Sequence, residues 1–226
     1  MFNELARYKL TYIIIAINIL VYIISSFYSH SLIDMNLQVL VDMGASYGPL
    51  TVQKQEWWRL FTAMFLHAGI THIAMNMYSL YLVGRSAEMY FNTKSYISIY
   101  LFSGIIGGLI SLYIHPASVG IGASGAIFGI FGALAGFFLA NRDKIANHTK
   151  AFMKNFTSVL GINLVIGLLI PSIDVSAHIG GLVIGIIGGF VLAKNPKAIV
   201  PFNIVMVLIS VAIALYLPLQ YAQRLF

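Results

Sequence analysis

Two side chains in this sequence could do covalent chemistry together, and each stands at the head of an apolar run. Ser124 lies in Gly122-Ala123-Ser124-Gly125, before a stretch that stays almost wholly apolar to Ala140. His178 lies in Ala177-His178-Ile179-Gly180-Gly181, at the start of a second such stretch. A serine hydroxyl is a weak nucleophile until a neighbouring base takes its proton, and an imidazole within about 3 Å can be that base. Each residue alone also has a plainer reading. Gly-x-Ser-Gly is what a tight helix contact looks like, and a lone histidine at membrane depth can be a structural hydrogen-bonder. Paired from the same side of a membrane, they form the nucleophile and general base of a serine hydrolase.

Other polar residues could serve the same chemistry. His72 and Asn76 are four apart, so they share one helix face. Both can donate hydrogen bonds, as stabilising an oxyanion requires; the alternative is a polar patch packed against a loop. His67 reads as a solvated or structural histidine near the water boundary. Glu88, one turn beyond Gly84, is either a proton relay or a brace for a neighbouring element, and bracing is the commoner use. Asp174 precedes His178 by four residues and could pose as a triad acid, but its place is the loop before the last polar-headed run. No His/Asp/Glu set has metal-ligand spacing, and the chain has no cysteine, which removes disulfides and thiol chemistry. Neither a metal nor a cofactor is expected.

The elements that must position these residues are membrane helices. The 226-residue chain is 59% hydrophobic and 9% charged, against roughly 45–50% and about 25% in soluble domains. Its net charge of +6 is spread over loops, with no basic run or face for nucleic acid. Crossing a bilayer takes about 20 mostly apolar residues, and the sequence offers seven candidates, at 10–28, 68–89, 95–114, 122–140, 156–171, 176–193 and 200–218. The expected fold is an all-α polytopic bundle. Leu10 to Phe27, following Arg7 and Lys9 and lacking a small-residue cleavage site, reads as a retained signal anchor. No soluble domain of useful size is expected outside the spans. The long connection from Ser29 to Leu66 carries Trp57, Trp58 and Arg59 in a half-apolar pattern that suggests an interfacial segment.

Placing the N-terminus in the cytoplasm puts Arg7, Lys9, Arg85, Lys94, Arg142, Lys144, Lys150, Lys154, Lys194 and Lys197 inside, and only Lys54, Arg59 and Arg224 outside. Positive-inside bias favours this orientation. The second, fourth and sixth spans then all start at the outer face, which brings His72, Asn76, Ser124 and His178 to similar depth in one leaflet. Gly125, Gly129, Gly132 and Gly136 on the fourth span, and Gly181, Gly185 and Gly189 on the sixth, would let those backbones approach closely. His115 to Ile121, with Pro116 and Gly120, reads as a loop. If the fourth helix begins only at Ser124, that loop must dip below the surface, beside protein or a water cavity.

These residues, in this order and on these spans, resemble the rhomboid family of intramembrane serine proteases. The matching pieces are Gly122-Ala123-Ser124-Gly125, Ala177-His178-Ile179-Gly180-Gly181, His72-x-x-x-Asn76 and Trp58-Arg59, over about residues 10 to 195. The resemblance implies a six-helix catalytic core in residues 1–195 and one added helix in 196–226. It implies that Ser124 is the nucleophile, that His178 is its base without a catalytic acid, and that the Ser124 N–H, His72 and Asn76 hold the oxyanion. Gly122, Phe128, Trp58, Arg59 and Glu88 would support the site. Many members carry a tyrosine where this chain has Phe128, which keeps ring stacking under the histidine but not a phenolic hydrogen bond. The implied substrates are transmembrane proteins in the bilayer, in a bacterial plasma membrane with the active site toward the outer face. The fifth span, lacking its neighbours' glycine stripe, is the expected gate. Two other classes remain open: a transporter or channel, although no internal repeat is evident, and a catalytically dead adaptor, which would usually lack the serine or the histidine.

Overall fold

Continuous apolar sequence with the occasional buried polar residue forms long helices packed side by side. A computed structural model describes residues 2–144, Gly161 and 174–224. After a short α1 (Phe2–Arg7), α2 runs Lys9–Ser29 and ends where His30 turns into the left-handed region at φ 50°, its N–H bonded to the Phe27 carbonyl. The long connection that follows is built from small pieces. These are α3 (Leu37–Asp42), capped by Asn36, strand β1 (Ser46–Tyr47), a π-helical turn Pro49–Gln53, α4 (Arg59–Thr62) and a 3-10 turn Ala63–Phe65. Then come α5 (Ile70–Tyr90), α6 (Thr93–Ile114), strand β2 (Val119–Gly120), α7 (Ser124–Ala140), α8 (Val175–Lys194) and α9 (Ile199–Arg224).

Among the described residues, α2, α6, α8 and the segment Pro196–Tyr221 are long and apolar enough to cross a membrane. Helix α5 has the length, 21 residues, but its polar and charged positions (His72, Asn76, Arg85, Glu88) keep it out of that set. Helix α7 is apolar throughout but has only 17 residues, about 25 Å at 1.5 Å per residue, shorter than a hydrocarbon core of about 30 Å. It starts at Ser124, two residues later than the span expected from hydropathy, because Gly122 and Ala123 belong to the loop. Apart from Gly161, the expected span at 156–171, and with it the expected gate, lies outside the described residues.

Helix α7 is buried along nearly its whole length, which its all-round apolar sequence permits. It packs against α5, α6 and α8, and Ile127, Ile130, Phe131 and Leu134 join Leu80, Ile99, Ile106 and Ile184 in the main core. One small antiparallel pair interrupts the all-α plan, Ser46 opposite Gly120 and Tyr47 opposite Val119. It ties the long first connection to the loop that leads into Ser124.

Candidate active site

The approach to Ser124 is set by glycine. Gly122 sits at φ +114°, in the left-handed region that side chains rarely adopt, and its N–H donates to the Ala63 carbonyl at 2.9 Å. The chain thereby turns into α7 with Ala123 as N-cap. Ala123 has no side chain that could cap the helix, so the first-turn N–H groups keep the unfilled donor character of a helix start. Ser124 is the first helical residue, placing its Oγ and its own N–H at that positive end.

His178 comes from the first turn of α8. Asp174 caps that helix: its carboxylate accepts from the N–H of Ser176 at 3.0 Å and of Ala177 at 3.2 Å, and also bonds the Ser176 hydroxyl. Burial alone would raise its pKa, but hydrogen bonds from Ser111, Ser176 and the Ala177 N–H, with His115 nearby, hold it below the usual carboxylate value. The residue expected in a loop is therefore the N-cap, engaged with backbone rather than with the imidazole. His178 is 7% exposed, and its Nε2 lies 2.8 Å from Ser124 Oγ. Phe128, one turn along α7, stacks under the imidazole with ring centroids 4.3 Å apart and planes 12° from parallel. Among the described residues the buried Nδ1 has no hydrogen-bond partner. The arrangement is a Ser–His pair with an aromatic floor and no acid on the far nitrogen.

Helix α5 supplies the facing groups. The Ala68 N–H donates to His72 Nδ1 at 3.4 Å, which leaves Nε2 as the protonated, donating nitrogen of a neutral ring. That Nε2 is turned to Gly122, where a Cβ would sit 2.8 Å from it and 3.8 Å from Asn76 Nδ2. Asn76, 6% exposed, uses one amide hydrogen on the His72 carbonyl at 3.1 Å, leaving its second to point elsewhere. Behind them His67 is fully buried, not solvated as a boundary position would suggest. Its ring meets His72 edge to face at 5.0 Å, and its Nδ1 lies 3.3 Å from the Phe65 carbonyl.

Helices α7 and α8 meet backbone to backbone. The Gly125 and Gly129 carbonyls lie against Gly181 and Gly185, the Ala133 carbonyl against Gly189, and the Leu182 and Ile186 carbonyls against Gly132 and Gly136. At Gly132, Gly136, Gly181, Gly185 and Gly189 there is no room for a Cβ, and this close approach sets the serine-to-histidine distance.

The remaining expected residues lie outside this cluster. Arg59, 6% exposed, bonds Glu56 at 2.6 Å and the carbonyls of Val41 at 2.6 Å and Ala45 at 3.2 Å, while Trp58 stands exposed beside it with the guanidinium 4.7 Å from its ring. Arg59 thus clamps the first connection into one piece. Glu88 sits near the other end of α5 and accepts from the N–H groups of Leu10 at 3.1 Å and Thr11 at 2.7 Å. It caps α2, which is the bracing role, and not a relay to the dyad. Sequence reasoning missed the strand pair and the Ala63 carbonyl that fix Gly122, because both are long-range contacts. It also missed the Asp174 cap, for which Asp-x-Ser before an apolar run was a readable signal.

A family model described as a rhomboid domain matches residues 54–195. The chain is 40% identical over 159 residues to the mitochondrial RHOMBOID-like protein 6 of Arabidopsis thaliana, a match covering 70% of this chain and 51% of that protein. It is 39% identical over 195 residues to rhomboid protease GluP of Bacillus subtilis (strain 168), covering 83% of this chain and 35% of that one. Rhomboid-like protease 3 of Toxoplasma gondii is 30% identical over 168 residues, covering 74% and 63%. The chain spans about half the length, or less, of the first two relatives.

Proposed function

Starting from a chain that belongs to the rhomboid family, we propose an intramembrane serine protease that hydrolyses peptide bonds in or near the transmembrane segments of other membrane proteins. The observation that carries this reading is the 2.8 Å approach of His178 Nε2 to Ser124 Oγ. In the first step Ser124 donates its proton to His178 as its oxygen attacks the scissile carbonyl. The negative charge that forms on the carbonyl oxygen is met by the Ser124 N–H and by the donors of His72 and Asn76. The tetrahedral intermediate collapses when the imidazolium gives its proton to the leaving amine, breaking the C–N bond and leaving an acyl-enzyme. His178 then takes a proton from water as the water oxygen attacks the ester. When the acyl C–O bond breaks, the imidazolium returns that proton to Ser124 Oγ, releasing the product with its new C-terminal carboxyl group. A helical substrate has its carbonyls bound in its own hydrogen bonds, so it must unwind locally, and small or helix-breaking residues near the cut are expected.

Residues 1–195 would form the catalytic core and 196–226 an added helix. The lysine and arginine distribution supports an N-terminus in the cytoplasm and a site opening toward the outer face; the membrane proposed is a plasma membrane. The deciding experiment is labelling of the detergent-solubilised protein with a serine-directed fluorophosphonate. Wild type should label and cleave a transmembrane reporter, while Ser124→Ala and His178→Ala should do neither. Labelling that persists in Ser124→Ala, or its absence in wild type together with an uncleaved reporter, sinks the reading.

A further inference from the structure

The last helix reaches the loop that delivers Ser124, and it does so at an atom that needs a partner. In an α-helix the carbonyl of residue i accepts the N–H of residue i+4. For Leu112, near the end of α6, that donor would come from residue 116, which is proline and has no N–H. Tyr221, close to the end of α9, fills the gap: its hydroxyl donates to the Leu112 carbonyl at 2.9 Å and lies 3.3 Å from the Pro116 carbonyl. The ring is buried at 6% exposure, in a cluster with Val52, Leu60, Leu109, Leu112 and Leu217. Gly48 closes the other side, where a Cβ would fall 2.6 Å from the Tyr221 hydroxyl and would also collide with the Pro116 carbonyl.

Among the described residues, this contact is the first of three long-range hydrogen-bonded ties on the stretch from Pro116 to Ala123. The second is the β1–β2 pairing at Val119 and Gly120, and the third is the Gly122 N–H on the Ala63 carbonyl. The last two come from the long first connection, whereas Tyr221 alone of the three comes from α9. We infer that the added helix is a working part of the catalytic apparatus, with Tyr221 as a positioning residue that fixes the descending loop and so the placement of Ser124 against His178. The inference rests on the proteolytic reading for its kinetic consequence but not for its structural one.

The test uses the full-length chain and the variant Tyr221→Phe, which removes one oxygen and keeps the buried ring. Tyr216→Phe, a hydroxyl removed from a half-exposed position on the same helix, is the control. All measurements are made well below the melting temperature of each protein. Tyr221→Phe should lower kcat and the rate of fluorophosphonate labelling by about three- to tenfold, the scale of one buried hydrogen bond, with KM unchanged. Amide exchange in residues 113–122 should accelerate by a similar factor, and Tyr216→Phe should match wild type in every readout. If Tyr221→Phe stays within about twofold of wild type in both exchange and kcat, the inference is wrong. It is equally wrong if KM carries the whole effect or if Tyr216→Phe shows an equal loss. Should wild type neither label nor cleave, the protease reading fails by itself, and exchange in residues 113–122 still decides whether Tyr221 holds the loop.

Discussion

At the residue scale the site depends on small differences in where single atoms sit. Ser124 and His178 are joined by one 2.8 Å contact, and Phe128 limits the imidazole to the plane in which that contact forms. Gly122 is as exacting a position as either, because the His72 ring and the Asn76 amide face the place where its side chain would be. Gly122→Ala would also have to hold φ +114°, a conformation that disfavours any Cβ. We expect that variant to fold, as judged by its elution profile and helical circular dichroism, while kcat falls by about 10²-fold or more, the scale of losing an oxyanion donor. Activity within a few fold of wild type would show that the space beside Gly122 is not where negative charge develops.

At the element scale, two helix starts and one helix contact create the geometry. Helix α7 begins at Ser124 because glycine and loop contacts end there, and α8 begins one residue after Asp174 because its carboxylate takes the Ser176 and Ala177 N–H groups. Folding depresses the pKa of that carboxylate, so the stability it contributes is present above its unfolded value of about 4 and is lost as pH falls through the lowered folded value. Asp174→Asn keeps a capping oxygen but carries no charge. It should be less stable than wild type near neutral pH, and the two melting curves should converge as pH drops below about 4. Thermal midpoints measured from neutral to acid pH would show it, and a gap that stays constant across the range would mean that the charge contributes nothing.

For the whole molecule, the candidate catalytic groups gather at one end of the bundle with the Arg59 clamp and the Asp174 cap, and a second set of bracing charges holds the other end. Glu88 on the α2 N-terminus and Arg85 paired with Glu4 lie at the end of α5 opposite His72 and Asn76. The proposed orientation puts that end in the cytoplasm. Because the chain has no cysteine, single cysteines can report the arrangement cleanly. Ser118→Cys, in the exposed loop before Ser124, should react with an impermeant maleimide in intact cells, and Lys94→Cys, exposed at the start of α6, only after permeabilisation. The reverse pattern would overturn the orientation and with it the side on which substrates are met.

Much of this was legible from residue types and spacing alone. Hydropathy separates the helices, since a long apolar run has few other fates in a bilayer, and the glycine spacing on α7 and α8 marks the faces that touch, because an absent Cβ is a local property. The pairing of Ser124 with His178 could also be inferred, from charge bias and motif order. Other features arise only between distant segments and leave no periodic trace. The Leu112 carbonyl lacks a donor because of Pro116, a local fact, but that Tyr221 supplies one depends on where a helix more than a hundred residues later comes to rest. Arg59 reads as an outer-loop cation until the carbonyls of Val41 and Ala45 are seen around it. Residue types and their spacing suffice for a membrane bundle and the chemistry available to it. Which groups meet depends on the packing, because a hydrogen bond acts over about 3 Å and only the packed chain sets distances that fine.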